Sequence, residues 1–389
     1  MERIRDYFHR MDKIFWILIL AVSVFSLLLL KSVSRATNTD YFLTQLAAIL
    51  IGFAGAFAIT LIDYREIAGL WHLIGAFSVF LMVYTMLFGI TVSSSGGVNA
   101  RAWIEIGGRT FQSSELVKIA FMITYAKHLA VLKETRRLDR FFHVCLLGVH
   151  ALIPVILCHL QGDDGAAVVF LAMFLFMSWG AGVQARYFVL IGAAALVAVP
   201  LLWAYVLEPY QKARFTAVYN LDDPAVILAD GWQQYQARTS IGSGRLWGTG
   251  LFNGPRVEDS MVTFQHSDFI FSVAGEELGF VGCILLILLL AALLLKTLHI
   301  AFTARDTLGS CICFGFFGLV FVQSVVNIGM CLAILPVMGV TLPFFSAGGS
   351  SAACLYLGWG LVQAVSMHRM EVEGLDLARR GRRGPVLKI

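Results

Sequence analysis

Leu278-Gly-Phe-Val-Gly-Cys-Ile-Leu-Leu-Ile-Leu-Leu-Leu-Ala-Ala-Leu-Leu-Leu295 is a run of apolar and small residues without a single charge. As a helix it would span about 27 Å, close to the ~30 Å hydrocarbon core of a bilayer. Just before it stands Asp268-Phe-Ile-Phe-Ser-Val-Ala-Gly-Glu-Glu277, so three acids gather at one end of a lipid-soluble rod. Comparable runs recur on both sides: 308–335 and 346–367 downstream, and 187–207, 166–181, 144–160, 115–132, 70–91, 42–62 and 14–30 upstream. The pattern predicts an all-α polytopic membrane protein of ten transmembrane helices, one bundle over 14–367.

Composition agrees. Of 389 residues, 58% are hydrophobic and only 14% charged, with a mean hydropathy of +0.78. Soluble domains carry about 25% charged residues. A net charge of +4 is too small to imply a nucleic-acid partner. All seven cysteines lie in apolar stretches, so the sequence suggests neither a disulfide framework nor a zinc site. The N-terminal run Ile14–Leu30 is long enough to span, and no small-residue cleavage site follows it. It reads as the first span and not as a signal peptide.

Basic residues set the orientation. With the N-terminus in the cytoplasm, inner segments hold Arg3, Arg5, Arg65, Arg136, Arg137, Arg140 and Arg186, and the tail 368–389 adds Arg379, Arg380, Arg382, Arg383 and Lys388. The short outer loops hold only Lys31, Arg35, Arg101 and Arg109. Both termini are then cytoplasmic. The tail is most simply a solvated topology anchor, the alternative being contact with anionic membrane lipids or a cytoplasmic partner. Two outer segments are long: Val92–Ser114, and 208–267 between spans seven and eight. The second is rich in aromatics and glycine, including Ile241-Gly-Ser-Gly-Arg-Leu-Trp-Gly-Thr-Gly250, and reads as an ordered lid or platform. No internal repeat stands out, which argues against transporters built from repeated halves.

Asp268 is the first candidate for chemistry. Beside Phe269, Ile270 and Phe271 its carboxylate is partly desolvated, which raises its pKa and improves it as a base near neutral pH. The alternative is a helix N-cap. His266 is either an assistant or, as we prefer, a plain loop residue. Eight residues further, Glu276 lies about 12 Å along a helix and about 80° around it. It would border the same cavity while Glu277 points away, unless both simply hold the helix end at the interface. Glu115 and Lys118 share one helix face at i, i+3. At a bilayer edge such charges mark a site, with Lys118 holding a diphosphate and Glu115 orienting it, or else they neutralise each other. Trp103 is an interfacial belt residue or a platform for a sugar ring. Of Asp163 and Asp164, one caps the next helix and the other is free to face a polar cavity. Gly348-Gly-Ser-Ser351 permits close helix approach and lacks the Gly-Lys ending of a P-loop.

Together these stretches resemble the SEDS family of bacterial membrane proteins (shape, elongation, division and sporulation). The matches are Trp103-Ile-Glu-Ile-Gly107 with Phe111-Gln-Ser-Ser-Glu-Leu-Val-Lys118, Leu160-Gln-Gly-Asp163, Ile241-Gly-Ser-Gly244, His266-Ser-Asp-Phe-Ile-Phe271 with Glu276-Glu-Leu-Gly279, and Leu342-Pro-Phe-Phe-Ser-Ala-Gly-Gly-Ser-Ser351. They occur in family order over nearly the whole chain. The resemblance implies a peptidoglycan glycosyltransferase acting on lipid II at the outer face of the cytoplasmic membrane. It also implies undecaprenyl-diphosphate-linked glycan as donor and a class B penicillin-binding protein as partner. The family's catalytic aspartate falls on Asp268, and its important tryptophan, glutamate, lysine and hairpin aspartate fall on Trp103, Glu115, Lys118 and Asp163. The short N-terminal tail and Ile62-Asp-Tyr-Arg65 favour the elongation branch over the division branch. This chain departs from the family at Ser113, Gly162 and Ala347, and has Ala102 where an arginine commonly precedes the tryptophan. These changes bear on the shape of the substrate groove.

The chemistry so implied is displacement at an anomeric carbon, with Asp268 taking the proton of the attacking hydroxyl. The leaving diphosphate needs cations, Lys118 first and Arg238 of the long outer segment second. A divalent cation is compatible with this, but no ligand cluster in the sequence demands one. Two alternatives remain at this level: a lipid II flippase, and a scaffold for a penicillin-binding protein. A flippase needs polar residues along the depth of several spans, whereas here they concentrate at the outer ends.

Overall fold

The computed structural model describes residues 10–93, 99–229 and 231–382. Among these, ten long helices form the body: α1 Lys13–Thr37, α2 Tyr41–Thr60, α4 Trp71–Phe88, α5 Ser113–Glu134, α6 Phe141–Leu160, α7 Asp164–Ala181, α8 Ala185–Tyr205, α13 Ile270–Phe302, α14 Thr307–Cys331 and α15 Gly349–Arg382. Short helices fill the links. α3 Tyr64–Gly69 joins α2 to α4, and α9 Pro209–Ala217, α10 Pro224–Leu228, α11 Trp232–Ser243 and α12 Pro255–Glu258 lie between α8 and α13. Eight of the long helices, all but α5 and α15, are long and apolar enough to cross a membrane. α5 carries Glu115, Lys118 and Lys127 within its length, yet it lies inside the bundle against α4, α7, α14 and α15. The chain is a multi-pass, all-α membrane protein.

Several boundaries differ from the sequence expectation. α1 continues to Thr37, so Lys31 and Arg35 lie on its last turns and not in a loop. α14 stops at Cys331 and not at 335. Leu335 precedes Pro336, whose ring disfavours helical backbone in the residue before it. α15 runs past 367 to Arg382, into the stretch expected as a tail. Arg3, Arg5, Arg383 and Lys388 lie outside the described residues. The segment expected as a loop, 92–114, carries a three-stranded antiparallel sheet with its neighbours: β1 Ile90–Ser93, β2 Asn99–Ile106 and β3 Arg109–Gln112. Its β2–β3 turn is Gly107-Gly108, both at positive φ (60° and 77°), the backbone a tight hairpin requires.

Contacts sort the connections onto two ends. At one end Lys296 pairs with Asp12 at 2.6 Å and Arg65 with Asp306 at 2.7 Å. Gln184 donates to Asp139 there at 2.8 Å, and His368 of α15 meets Tyr64. At the other end the sheet, the 161–163 hairpin, the 206–269 segment and the 332–348 link meet one another. Arg101 N–H donates to Gln161 O at 2.9 Å, and Ala347 N–H to His266 O at 2.8 Å. The candidate residues all belong to this second end.

Burial is uneven. α14 has 72% of its apolar window buried, whereas α8 has 6%. Small residues let the central helices close up, because lipid offers them no hydrophobic drive toward one another. A Cβ at Gly52 would lie 2.7 Å from Tyr356, and one at Gly360 would lie 2.6 Å from Ala56. This is where α2 and α15 touch. The close approach expected at Gly348-Gly349 is absent, since a Cβ on Gly349 meets only Thr44, at 3.7 Å.

Candidate active site

Asp268 closes a turned segment that precedes α13. The N-cap position of α13 is Phe269, so Asp268 stands one residue outside it. The residue is 7% exposed. The three carbonyls of His266, Ser267 and Asp268 are all taken by groups from α14 and the link into α15. Ala347 N–H donates to His266 O at 2.8 Å, and Ser346 Oγ to Ser267 O at 2.6 Å. Asn327 Nδ2 donates to Asp268 O at 2.7 Å. The imidazole of His266 stacks on Tyr41, ring centroids 4.2 Å apart, and burial pushes its pKa down to about 4. It is a neutral packing ring, in line with the loop-residue reading.

A second group forms where α5 begins. Lys118 Nζ lies 2.8 Å from Glu115 Oε1, with side chains only 2% and 6% exposed. The mutual neutralisation foreseen for this pair is therefore the arrangement at rest. Asp163 does two jobs. Its Oδ1 accepts from Ala166 N–H at 3.0 Å and caps α7. Its Oδ2 accepts from Gln112 Nε2 at 2.8 Å and Ser114 Oγ at 3.1 Å, tying the hairpin to the start of α5. Asp164 is exposed and meets His159 and Gln211. Trp103 is half-buried on β2, and its register partner on β3 is Gln112. One backbone rung thus connects Trp103 to the residue that holds Asp163. Gln112 N–H also donates to Ser350 Oγ at 3.3 Å, so α15 starts in the same group.

The long segment is a docked platform. α11 buries Gln234, Gln236, Ala237 and Ser240, and Gln234 Nε2 donates to both Met330 O and Leu335 O. Arg238 lies on the opposite, exposed face of α11. The cation that turns inward is Arg256. Its backbone N–H donates to Glu276 Oε1 at 2.7 Å, and its guanidinium donates to Ser240 and Gln236. Glu276 is fully buried in this contact, with α12 covering it. Glu277 points the other way, as expected, and accepts from Ser32 Oγ.

Gly279 interrupts α13 at φ 66°, ψ −162°. Glycine alone adopts this backbone readily. The interruption frees helical donors and acceptors, and the Gly-rich loop takes them. Thr249 and Gly250 N–H donate to Glu276 and Glu277 O at 3.0 Å each, and Phe280 N–H donates to Arg245 O at 2.9 Å. A Cβ at Gly244 would lie 2.0 Å from Gly275 O, and one at Gly248 would lie 2.1 Å from Glu277 O. Gly244 and Gly248 are there for close backbone contact.

A lateral cleft of about 430 Å³ opens between α4, α5 and α6. It is mostly apolar, with His128 and His150 facing each other across 3.2 Å between Nδ1 atoms. Val117 and Met82 line it on the side toward Lys118; Asp268 is not in its wall. Among the described residues no three His, Cys, Asp or Glu stand close enough together to hold a metal ion.

A family model for FtsW, RodA and SpoVE, described as a cell cycle protein, matches residues 9–371. This chain belongs to the SEDS family. Among SEDS relatives, the peptidoglycan glycosyltransferase MrdB of Escherichia coli K12 is 32% identical over 301 residues, covering 75% of this chain and 78% of that one. Stage V sporulation protein E of Bacillus subtilis is 32% identical over 83% of this chain and 86% of its own. The SEDS fold is matched in the Thermus thermophilus rod shape determining protein RodA, with a TM-score of 0.68, 26% identity and coverage of 92% and 97%. A chain from a peptidoglycan synthase complex that coordinates polymerization and crosslinking matches with a TM-score of 0.77, 27% identity and coverage of 92% and 98%. Reading the sequence missed Asn327 and Arg256, neither of which stands in a recognisable pattern. The Gly107-Gly108 turn between alternating residues was the available signal for the sheet.

Proposed function

We propose that this SEDS protein is a peptidoglycan glycosyltransferase of the RodA type, polymerising lipid II during cell-wall elongation. The observation that carries the reading is a carboxylate, Asp268, on a turn bonded at three successive carbonyls, at one end of a membrane bundle. A membrane-tethered sugar needs a base at such a place, since its lipid stays in the bilayer while its hydroxyls stand in water.

In this proposal Asp268 accepts the proton of the acceptor's sugar hydroxyl as that oxygen bonds to the donor's anomeric carbon. The anomeric bond to undecaprenyl diphosphate breaks, and the diphosphate leaves with the electron pair. A hydroxyl is a poor nucleophile until its proton is accepted, and a positioned base contributes about 10²- to 10⁴-fold. Arg238 supplies an exposed cation for the leaving group. Lys118 supplies a second if it exchanges Glu115 for phosphate. Trp103 offers its half-buried ring as a sugar platform, and Asp163 holds that side of the groove through Gln112. The catalytic end faces outward and the Arg65–Asp306 end faces the cytoplasm, as the basic residues favour. The membrane is the bacterial cytoplasmic membrane, and the partner is a class B penicillin-binding protein.

Purified protein given labelled lipid II separates this reading from a flippase or a scaffold. We expect glycan chains from the native protein. Asp268→Asn should lower chain formation about 10³-fold or more while the protein still folds. Full activity in that variant refutes the role given to Asp268.

A further inference from the structure

We propose that Asn327 is a positioning residue for Asp268 and fixes the base relative to the Asp163 side of the site. This rests on Asp268 being the general base. Asn327 is fully buried one turn before the end of α14. An asparagine amide has two N–H donors, and this one uses both across helices. One goes to Asp268 O and the other to Val340 O, each at 2.7 Å. Ser272 N–H, the donor that a continued helix would offer Asp268 O, goes to Phe269 O instead. The carbonyl of the base is therefore set by a side chain from another helix. Cys331 Sγ, one turn further along α14, approaches the same oxygen at 3.6 Å.

The second bond makes this more than local satisfaction. Val340 lies in the 332–348 link that abuts the start of α7. A Cβ on Gly165 would lie 2.9 Å from Val340 Cγ2 and 2.4 Å from Met338 O. Gly165 follows Asp163 by two residues, and Asp163 holds Gln112 and the β2 rung of Trp103. One amide thus connects the turn that carries the base to the link seated on the hairpin that carries Asp163. Bond-making at an anomeric carbon requires donor and acceptor aligned to a fraction of an ångström. A misplacement of about 1 Å from outside the reacting groups costs up to about 100-fold.

Replacing Asn327 by leucine keeps the side chain's branching at Cγ and removes both donors. With the full-length protein and labelled lipid II, we expect Asn327→Leu to lower kcat about 10- to 100-fold, with KM within about twofold of wild type. A merely structural role would show as lost folded protein with unchanged kcat per folded molecule. Asn327→Ser, which keeps one hydroxyl donor, and Ser346→Ala, which frees Ser267 O and Leu342 N–H but leaves Asp268 O bonded, should give smaller losses in kcat, again without a change in KM. They decide the matter if the leucine variant does not fold. Wild-type kcat in the folded variants, or a change confined to KM, overturns the inference. Asp268→Asn runs alongside: if it retains activity, the base assignment fails, whereas an inactive Asp268→Asn with fully active Asn327 variants sinks only the positioning role.

Discussion

The Asp268 turn and the Glu115–Lys118 pair occupy the same end of the bundle but are held in place by different means. The turn is fixed through its backbone, by Ala347, Ser346 and Asn327 acting on three carbonyls. The pair is fixed through its charges, each side chain neutralising the other at 2.8 Å in a nearly dry place. The difference teaches which substitutions separate chemistry from folding. A change of the same size, such as Asp268→Asn, leaves those three carbonyl bonds in place. A buried ion cannot lose its partner without leaving an uncompensated charge.

The largest expected effect is the loss of glycan synthesis in Asp268→Asn, with an unchanged melting temperature in detergent. A large drop in that temperature would break the comparison, because the carboxylate would then be anchoring the turn. Next comes Lys118→Met, which leaves Glu115 buried alone and should cost about 3–5 kcal/mol of stability. Adding Glu115→Gln should restore most of it without restoring activity. A single variant that melts like wild type would show that the pair is not dry. Gly248→Ala follows. Gly248 has φ 78°, and the new Cβ would lie 2.1 Å from Glu277 O. A loss of about 2–3 kcal/mol is expected in thermal or denaturant melts.

The smallest effect sharpens the turn itself. His266 has its pKa lowered from the ordinary 6.5 to about 4 by burial. The fold therefore prefers the neutral ring. That contribution is fully present above about pH 6.5 and is lost as pH falls toward 4. His266→Phe keeps the stack on Tyr41, so activity should stay within about twofold, with the pH–rate profile unaltered between pH 6 and 8. The wild type should then lose more stability than the variant between pH 6.5 and 4. A lost limb in the profile would make His266 a titrating participant.

Eight of the ten expected spans were legible because each is long and apolar. Their ends were less so, because proline and cross-helix bonding decide them; Leu335 before Pro336 is the clear case. Asp163 was seen as one of two acids at a hairpin. Which of the two caps, and that the capping one also binds Gln112, required coordinates. The burial of Glu276 was not foreseen, since the covering helix α12 is only four residues long and starts with a proline. Asn327 was invisible for a general reason. A single amide in an apolar helix looks the same in sequence whether it faces lipid, a cavity or the carbonyl of a base.

The interruption at Gly279 changes what the aqueous segment is. Residues 245–250 complete the hydrogen bonding of a spanning helix, so they belong to the transmembrane scaffold although they lie beyond it in sequence. An epitope tag inserted near Asp222, in the exposed link between α9 and α10, leaves that scaffold alone. The same tag at Leu246 unzips a helix that the insertion never touches.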